Sequence, residues 1–468
     1  MAVKIALPKG RLLRRTAALL EKAEWGLDEY NSRISFYRPR SARFPDLQIR
    51  IFNERDIPIQ IAMGNYDLGI CCLDWIQELL VKYPSSEIVK VLDLGYGDGC
   101  LYMASVEPMD ALCRNDNGTP LRIAGEYPNL AEAFALRNRL SCFNVFPVWG
   151  AAEAYPPENA EMVMLSSEGQ DDLAARGMRD YSLELEYSAF LIANRKAWEN
   201  VGLHDIVASV YSALPEREAG DLSRSHRPEI PASQALVATA DGEKKVRLAL
   251  PDGHQQEQTV DLLNSAGIEM DGYPSGTGER RPGIGMPGMC VKVIRPQDMP
   301  LQVANGNFDI AVTGRDWLNE LRDKFPSAPV TELLDLKLRK VRIVAVVHNS
   351  VDVDTTAGLR EWAGGMDRPL RIASEYVNIA DAYGRNNHLG HYTVIPTYGA
   401  SEAFLPDDAD VLIENTETGR TIALHNLKII ETLFESTACL IANTDAMQDV
   451  GKRGIMQEFV TKLAQAVT

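Results

Sequence analysis

Between residues 411 and 421 the chain reads Val411-Leu412-Ile413-Glu414-Asn415-Thr416-Glu417-Thr418-Gly419-Arg420-Thr421. An apolar run delivers a carboxylate, and the chain then turns through Thr-Glu-Thr-Gly toward a short helix. These residue types suit a ribose 5-phosphate. Successive backbone N–H groups, with the hydroxyls of Thr416, Thr418 and Thr421, can encircle a phosphate where a helix begins. Gly419 lets the backbone come close, and Arg420 adds a fork of donors. Glu414 and Glu417 can accept hydrogen bonds from the ribose 2- and 3-hydroxyls. The plainer alternative is a surface turn whose threonines cap a helix.

Such a loop needs a strand before it and a helix after it, and the chain supplies both repeatedly. Ile5–Leu7, Asp67–Cys71, Val89–Leu94, Arg122–Ala124, Val145–Val148 and Met162–Leu165 read as short buried strands. Leu12, Thr16, Leu19, Leu20 and Ala23 fall on one helical face. Alternation of this kind predicts βαβ units and a mostly parallel sheet, with ligands at the carboxyl ends of the strands.

The pattern is written twice. Val3-Lys4-Ile5-Ala6-Leu7-Pro8 returns as Val246-Arg247-Leu248-Ala249-Leu250-Pro251, Asp56-Ile57-Pro58 as Asp298-Met299-Pro300, and Asp74-Trp75 as Asp316-Trp317. Further on, Arg122-Ile123-Ala124 matches Arg371-Ile372-Ala373, Gly150-Ala151 matches Gly399-Ala400, and Leu191-Ile192-Ala193-Asn194 matches Leu440-Ile441-Ala442-Asn443. Collinearity this long means two copies of one α/β fold. We expect a first unit at 1–214, a linker rich in Pro, Ser, Glu and Arg at 215–243, and a second unit at 244–468. Each unit divides into two lobes. In the first, lobe I takes 1–105 plus 188–214 and lobe II 106–187; in the second, lobe I takes 244–345 plus 435–468 and lobe II 346–434. A linker of that length lets the halves pair as an intramolecular pseudo-dimer.

Composition removes several functions. A net charge of −17 argues against nucleic acid, and no apolar run approaches the ~20 residues of a membrane helix. The strand-like start leaves no room for a signal peptide, so a cytoplasmic protein is expected. Seven cysteines show neither metal spacing nor a secreted disulfide pattern. Adjacent Cys71 and Cys72 are expected to be core thiols. Gly95-Tyr96-Gly97-Asp98-Gly99 is expected to be a hinge turn, and Asp67 and Asp309 strand-end caps.

Four segments resemble the ATP phosphoribosyltransferase family, the first enzymes of histidine biosynthesis, with the catalytic unit present in tandem. They are Ala6-Leu7-Pro8-Lys9-Gly10-Arg11-Leu12; Arg295-Pro296-Gln297-Asp298-Met299-Pro300; Gly306 to Trp317; and Gly399-Ala400-Ser401-Glu402 leading into the Glu414 loop. The resemblance implies two copies of a two-lobed unit like the type II periplasmic binding proteins. It also implies a glycosyltransferase reaction that joins adenine N1 of ATP to C1 of phosphoribosyl pyrophosphate (PRPP), with Mg²⁺ as cofactor and no residue assigned to the metal. Glu414, Glu417, Thr418, Gly419, Arg420 and Thr421 would hold PRPP. Lys9, Gly10, Arg11, Arg33 and Arg295 would meet ATP or pyrophosphate, with Arg280 or Arg281 the counterpart of Arg33. Adenine N1 already carries a lone pair, so Lys9, Arg11 and Arg295 would act by position and charge, with no acid or base.

The copies are not equivalent. Asp252-Gly253-His254 replaces Lys9-Gly10-Arg11, and Asn53 stands opposite Arg295. In the first copy Leu165 replaces Glu414, while Asp171 and Asp172 replace Arg420 and Thr421. Carboxylates beside a phosphate repel it, so the first loop should not hold PRPP. Two arrangements fit: one cleft on the Glu414 loop using residues lent by the first copy, or a second copy that works alone. The alternative from another class is a non-catalytic regulatory subunit that senses a nucleotide or an amino acid. Inhibition by histidine and further homo-oligomerisation stay open.

Overall fold

The computed structural model describes residues 3–31, 37–107, 120–140, 142–214, 245–274 and 280–467. The expected linker at 215–243 and Arg33 lie outside them.

Four five-stranded sheets form the frame. In the first copy, lobe I runs from edge to edge through Gln48–Phe52, Lys4–Pro8, Leu68–Cys72, Ala189–Asn194 and Ile88–Asp93. Its lobe II runs Phe143–Pro147, Leu121–Gly125, Met162–Ser167, Gly99–Ser105 and Arg179–Tyr187. The second copy repeats both orders. Its lobe I runs Met289–Ile294, Val246–Pro251, Ile310–Gly314, Ala438–Asn443 and Val330–Asp335. Its lobe II runs Tyr392–Pro396, Leu370–Ser374, Val411–Thr416, Val341–His348 and Leu427–Ser436. In each sheet one strand is antiparallel to both of its neighbours, and it is the strand next to the last in spatial order. The chain is therefore two tandem copies of a two-lobed α/β unit of the periplasmic-binding-protein kind.

Local sequence explains the elements. Leu68–Cys72 is buried along its whole length because helices cover both faces, hence its unbroken apolar run. Helix Leu13–Lys22 buries Thr16, Leu19 and Leu20 on the face the spacing predicts. Asp67 and Asp309 cap neighbouring strands as expected, accepting the Lys4 and Arg247 N–H groups at 2.8 Å each. Cys71 and Cys72 are buried thiols.

The crossings differ from the expected boundaries. Gly99–Ser105 is laddered between two lobe II strands, so the chain leaves lobe I before Gly99 and not at 105. In the second copy Val341–His348 and Leu427–Ser436 pair with each other inside lobe II, against expected boundaries at 345 and 435. Each crossing strand finds its hydrogen-bond partners on both sides only within the second sheet, which decides where it belongs. The Gly95–Gly99 turn, expected as the hinge, connects the two sheets, with Gly95 and Gly97 at φ of 69° and 74°.

The copies interlock head to tail. Lobe I of the first shares a core with lobe II of the second, joining Phe52, Ile57 and Tyr66 to Val344, Phe404 and Leu412. The Phe52 and Phe404 rings meet edge to face at 5.0 Å. Lobe II of the first packs reciprocally on lobe I of the second, through Ala124, Val148 and Tyr155 against Ile294, Met299 and Phe308. Polar contacts follow the same pseudo-symmetry: Lys292 Nζ meets Glu158 at 2.8 Å, and Arg50 pairs with Asp407. No helix among the described residues is long and apolar enough to cross a membrane.

Candidate functional site

Leu370–Ser374 and Val411–Thr416 are parallel neighbours with Ser374 opposite Ile413. The next residues, Glu375 just past its strand and Glu414 still within its own, therefore lie side by side near the carboxyl end of the sheet. Ser401 Oγ donates to one Glu414 oxygen, and the Asn415 N–H donates to the other at 2.9 Å. Glu402 joins them from the short 3-10 turn Ser401–Phe404.

A cation arrives from the other copy. Lys9 follows strand Lys4–Pro8 of the first copy and enters this acidic group. A methyl group added at Gly399 would lie 3.2 Å from Lys9 Nζ and 3.5 Å from Glu375 Oε1, so amine and carboxylate converge on the bare face of one glycine. Gly399 has a φ of +106°, which only glycine adopts without strain. Burial lowers the Lys9 pKa, against the fields of Glu402, Glu375, Asp56 and Glu414. Burial raises Glu414, and the negative charges of Glu375 and Glu402 add to the rise. Burial also raises Glu375, with Lys9 pulling it back down.

More of the first copy closes the site. Lys9 Nζ lies 5.6 Å from the centre of the Tyr37 ring, and Tyr37 stacks on His425 at 4.8 Å and 11°. Asn53 Nδ2 donates to the Tyr398 carbonyl at 2.7 Å, and the Arg55 guanidinium sits 3.9 Å from the Tyr398 ring centre.

The Glu414 loop turns as its sequence implies. Thr416 Oγ1 accepts from the Gly419 N–H at 2.9 Å, Thr418 Oγ1 accepts from the Arg420 N–H at 3.4 Å, and Gly419 takes a left-handed φ of 76°. Helix Arg420–Leu424 follows, leaving Thr418, Arg420 and Thr421 exposed. Glu417 is exposed and pairs with Arg339 at 3.1 Å, so the two carboxylates assigned to one sugar have different partners.

The corresponding loop of the first copy is filled by its own side chain. Asp172 Oδ2 accepts from Ser167 Oγ at 2.7 Å, from the Glu168 N–H at 3.4 Å and from Arg176 at 2.7 Å. The expected repulsion of phosphate is thus joined by direct occupation, because a carboxylate uses the donors a phosphate would need.

The expected cations separate. Lys9 reaches the acidic group of the second copy at Gly399 and Glu375; Arg11 does not. Its guanidinium is held by Glu54 at 2.9 and 3.1 Å, by Asp74 at 2.6 Å and by Tyr187 at 3.1 Å, all within the first copy. These contacts occupy guanidinium donors that a bound anion would otherwise use. Gly10, at φ +81°, makes the turn between these two destinations. Arg295 lines a cavity of about 250 Å³ in the second copy's cleft, with Gln297, Asp316, Trp317, Glu375 and Asn415. It also donates to Asp252 at 3.2 Å, where Arg280 binds the second oxygen at 3.0 Å and reaches Glu153. Arg281 pairs with Glu158. The acid that replaces Lys9 is therefore tied to two arginines.

Sequence reasoning missed Glu375, Glu402 and Arg55. The repeat contained a signal for the first two, since Glu126 and Glu153 occupy their places in the first copy. Among the described residues, Glu54, Cys72 and Asp74 are the one trio spaced for a metal ion. Arg11 already bridges two of its members, so this trio does not fit a cation.

A family model described as HisG, ATP phosphoribosyltransferase, matches residues 53–215 and 295–465. A protein of Pelotomaculum thermopropionicum named ATP phosphoribosyltransferase is 32% identical over 231 residues, covering 48% of this chain and 73% of its own length. One of the same name from Chlorobium luteolum is 33% identical over 229 residues, covering 48% and 72%. A solved ATP phosphoribosyl transferase (HisG:HisZ) complex from Thermotoga maritima aligns with a TM-score of 0.39 at 21% identity, covering 47% of this chain and 98% of that one.

Proposed function

The chain belongs to the ATP phosphoribosyltransferase family, and from that membership we propose that it joins ATP to PRPP in one composite cleft, the first step of histidine biosynthesis. The adenine N1 lone pair forms the bond to ribose C1. The bond from C1 to the pyrophosphate oxygen breaks, and its electron pair leaves with pyrophosphate. No side chain need take a proton from N1. Catalysis then rests on position and on charge held ready for the transition state.

One observation carries the reading: Lys9 of the first copy meets Glu375 of the second at Gly399, and Glu375 lies beside Glu414 across two parallel strands. The copy that lost the sugar-phosphate loop lends the lysine, and the copy that lost the lysine keeps the loop. In this arrangement the loop N–H groups, Thr418, Arg420 and Thr421 hold the 5-phosphate, while Glu414 and Glu417 accept from the ribose hydroxyls. Arg295 faces the phosphates of ATP or pyrophosphate from the cleft. Lys9 acts chiefly on the surrounding carboxylates, a narrower role than direct contact with pyrophosphate. Mg²⁺ would supply charge neutralisation on the pyrophosphate oxygens, and we assign it no ligand from this chain. A non-catalytic reading has support only in the first copy, whose loop is closed by Asp172.

The test is direct. Purified protein with ATP, PRPP, Mg²⁺ and pyrophosphatase should form phosphoribosyl-ATP. Glu417→Ala and Lys9→Ala should each reduce turnover severely. Calorimetry should count one PRPP per chain; two per chain, or none, would remove the composite cleft.

A further inference from the structure

Resting on that reading of the cleft, we propose that Glu375 is a further catalytic residue whose carboxylate faces the anomeric carbon of the bound sugar, and that Lys9 of the other copy positions it. Strand register places Glu375 beside Glu414 at the carboxyl end of two parallel strands. Glu375 lines the cleft together with Tyr376 and Asn415, and the bare face of Gly399 brings its carboxylate to the Lys9 amine.

The chemistry follows from charge. As the bond to pyrophosphate breaks, positive charge develops on C1 and the ring oxygen, and a fixed carboxylate stabilises it. Two neighbouring buried carboxylates do not both stay ionised without a cation. Lys9 is that cation. It is faced by Asp56 from its own lobe and by Glu375, Glu402 and Glu414 from the opposite lobe, with Tyr37, Arg38 and His425 around them. The pseudo-symmetric place has lost this constellation: in the first copy Glu126 keeps the place of Glu375 but Leu165 replaces Glu414, and from the second copy Asp252 replaces Lys9. There Arg295 covers Gly150, the counterpart of Gly399.

Three variants of the full chain test the idea. Glu375→Gln keeps the shape and removes the charge; kcat should fall about 10²-fold while KM for PRPP moves less than about threefold. Lys9→Met should move the acid limb of the kcat–pH profile upward by about one pH unit, because the carboxylates lose their cation; Lys9→Arg should return it. An unchanged kcat in Glu375→Gln, or an acid limb in Lys9→Met that stays in its wild-type place, would overturn the proposal. Should Glu375→Gln not fold, the Lys9 profiles decide alone. A wild-type chain that makes no phosphoribosyl-ATP would instead sink the proposed function, so the two failures are distinguishable.

Discussion

Lys9 and Arg11 are two positions apart and do different work. Lys9 leaves its own copy, whereas Arg11 turns back to Glu54 and Asp74, whose side chains are 6% and 0% exposed. Removing one partner of a buried ion pair costs about 3–5 kcal/mol because the other charge is left unpaired. The guanidinium is itself 40% exposed, so the low end of that range applies. Arg11→Met should therefore lower stability by about 3 kcal/mol in urea unfolding, with KM for ATP little changed in whatever fraction stays folded. A large rise in KM with unchanged stability would return Arg11 to the substrate. Nothing local in Lys9-Gly10-Arg11 distinguishes these destinations. Glu54 lies 43 positions away, and only the fold sets the two groups together.

At the scale of elements, the sequence was most readable where pattern alone decides. Buried strands carry unbroken apolar runs, the repeat aligns both copies, and the Thr-Glu-Thr-Gly turn closes on its own hydroxyls. Contacts between copies were not readable, because no periodicity records which lobe faces which. Tyr37 is a case in point. It stacks on His425, just past the short helix that follows the Glu414 loop. In the first copy Arg176 takes the place of His425 and reaches back to Asp172. The stack therefore belongs to the intact loop. An aromatic pair contributes about 0.5–1.5 kcal/mol beyond its burial, enough to change the loop's populations. Tyr37→Leu should raise KM for PRPP several-fold while Tyr37→Phe leaves it near wild type. Equal effects from both substitutions would assign Tyr37 to its hydroxyl instead.

For the whole molecule, the decisive contact is made twice. Asp56 of the first copy accepts the Tyr398 N–H of the second at 3.4 Å, and Asp298 of the second accepts the Trp149 N–H of the first at 3.1 Å. Both carboxyls are buried, and burial pushes each up to about 8, against the pull of those N–H groups and of Arg55 and Arg295. Burial likewise raises Glu78 to about 7 and Asp408 to about 6. A carboxyl that titrates near 3.8 when unfolded and near 8 when folded holds more protons in the folded state between those values. Its contribution to stability is therefore greatest in acid and declines as pH rises toward 8. The two core clusters that span the copies depend on these joints, so the interlocked molecule should loosen as one unit. The unfolding temperature should fall between pH 5.5 and pH 8, and Asp298→Asn, which cannot ionise there, should show a smaller fall. A temperature that rises across this interval, or an Asp298→Asn variant with the wild-type slope, would mean that the joints are charged in the folded protein and that another force holds the copies together.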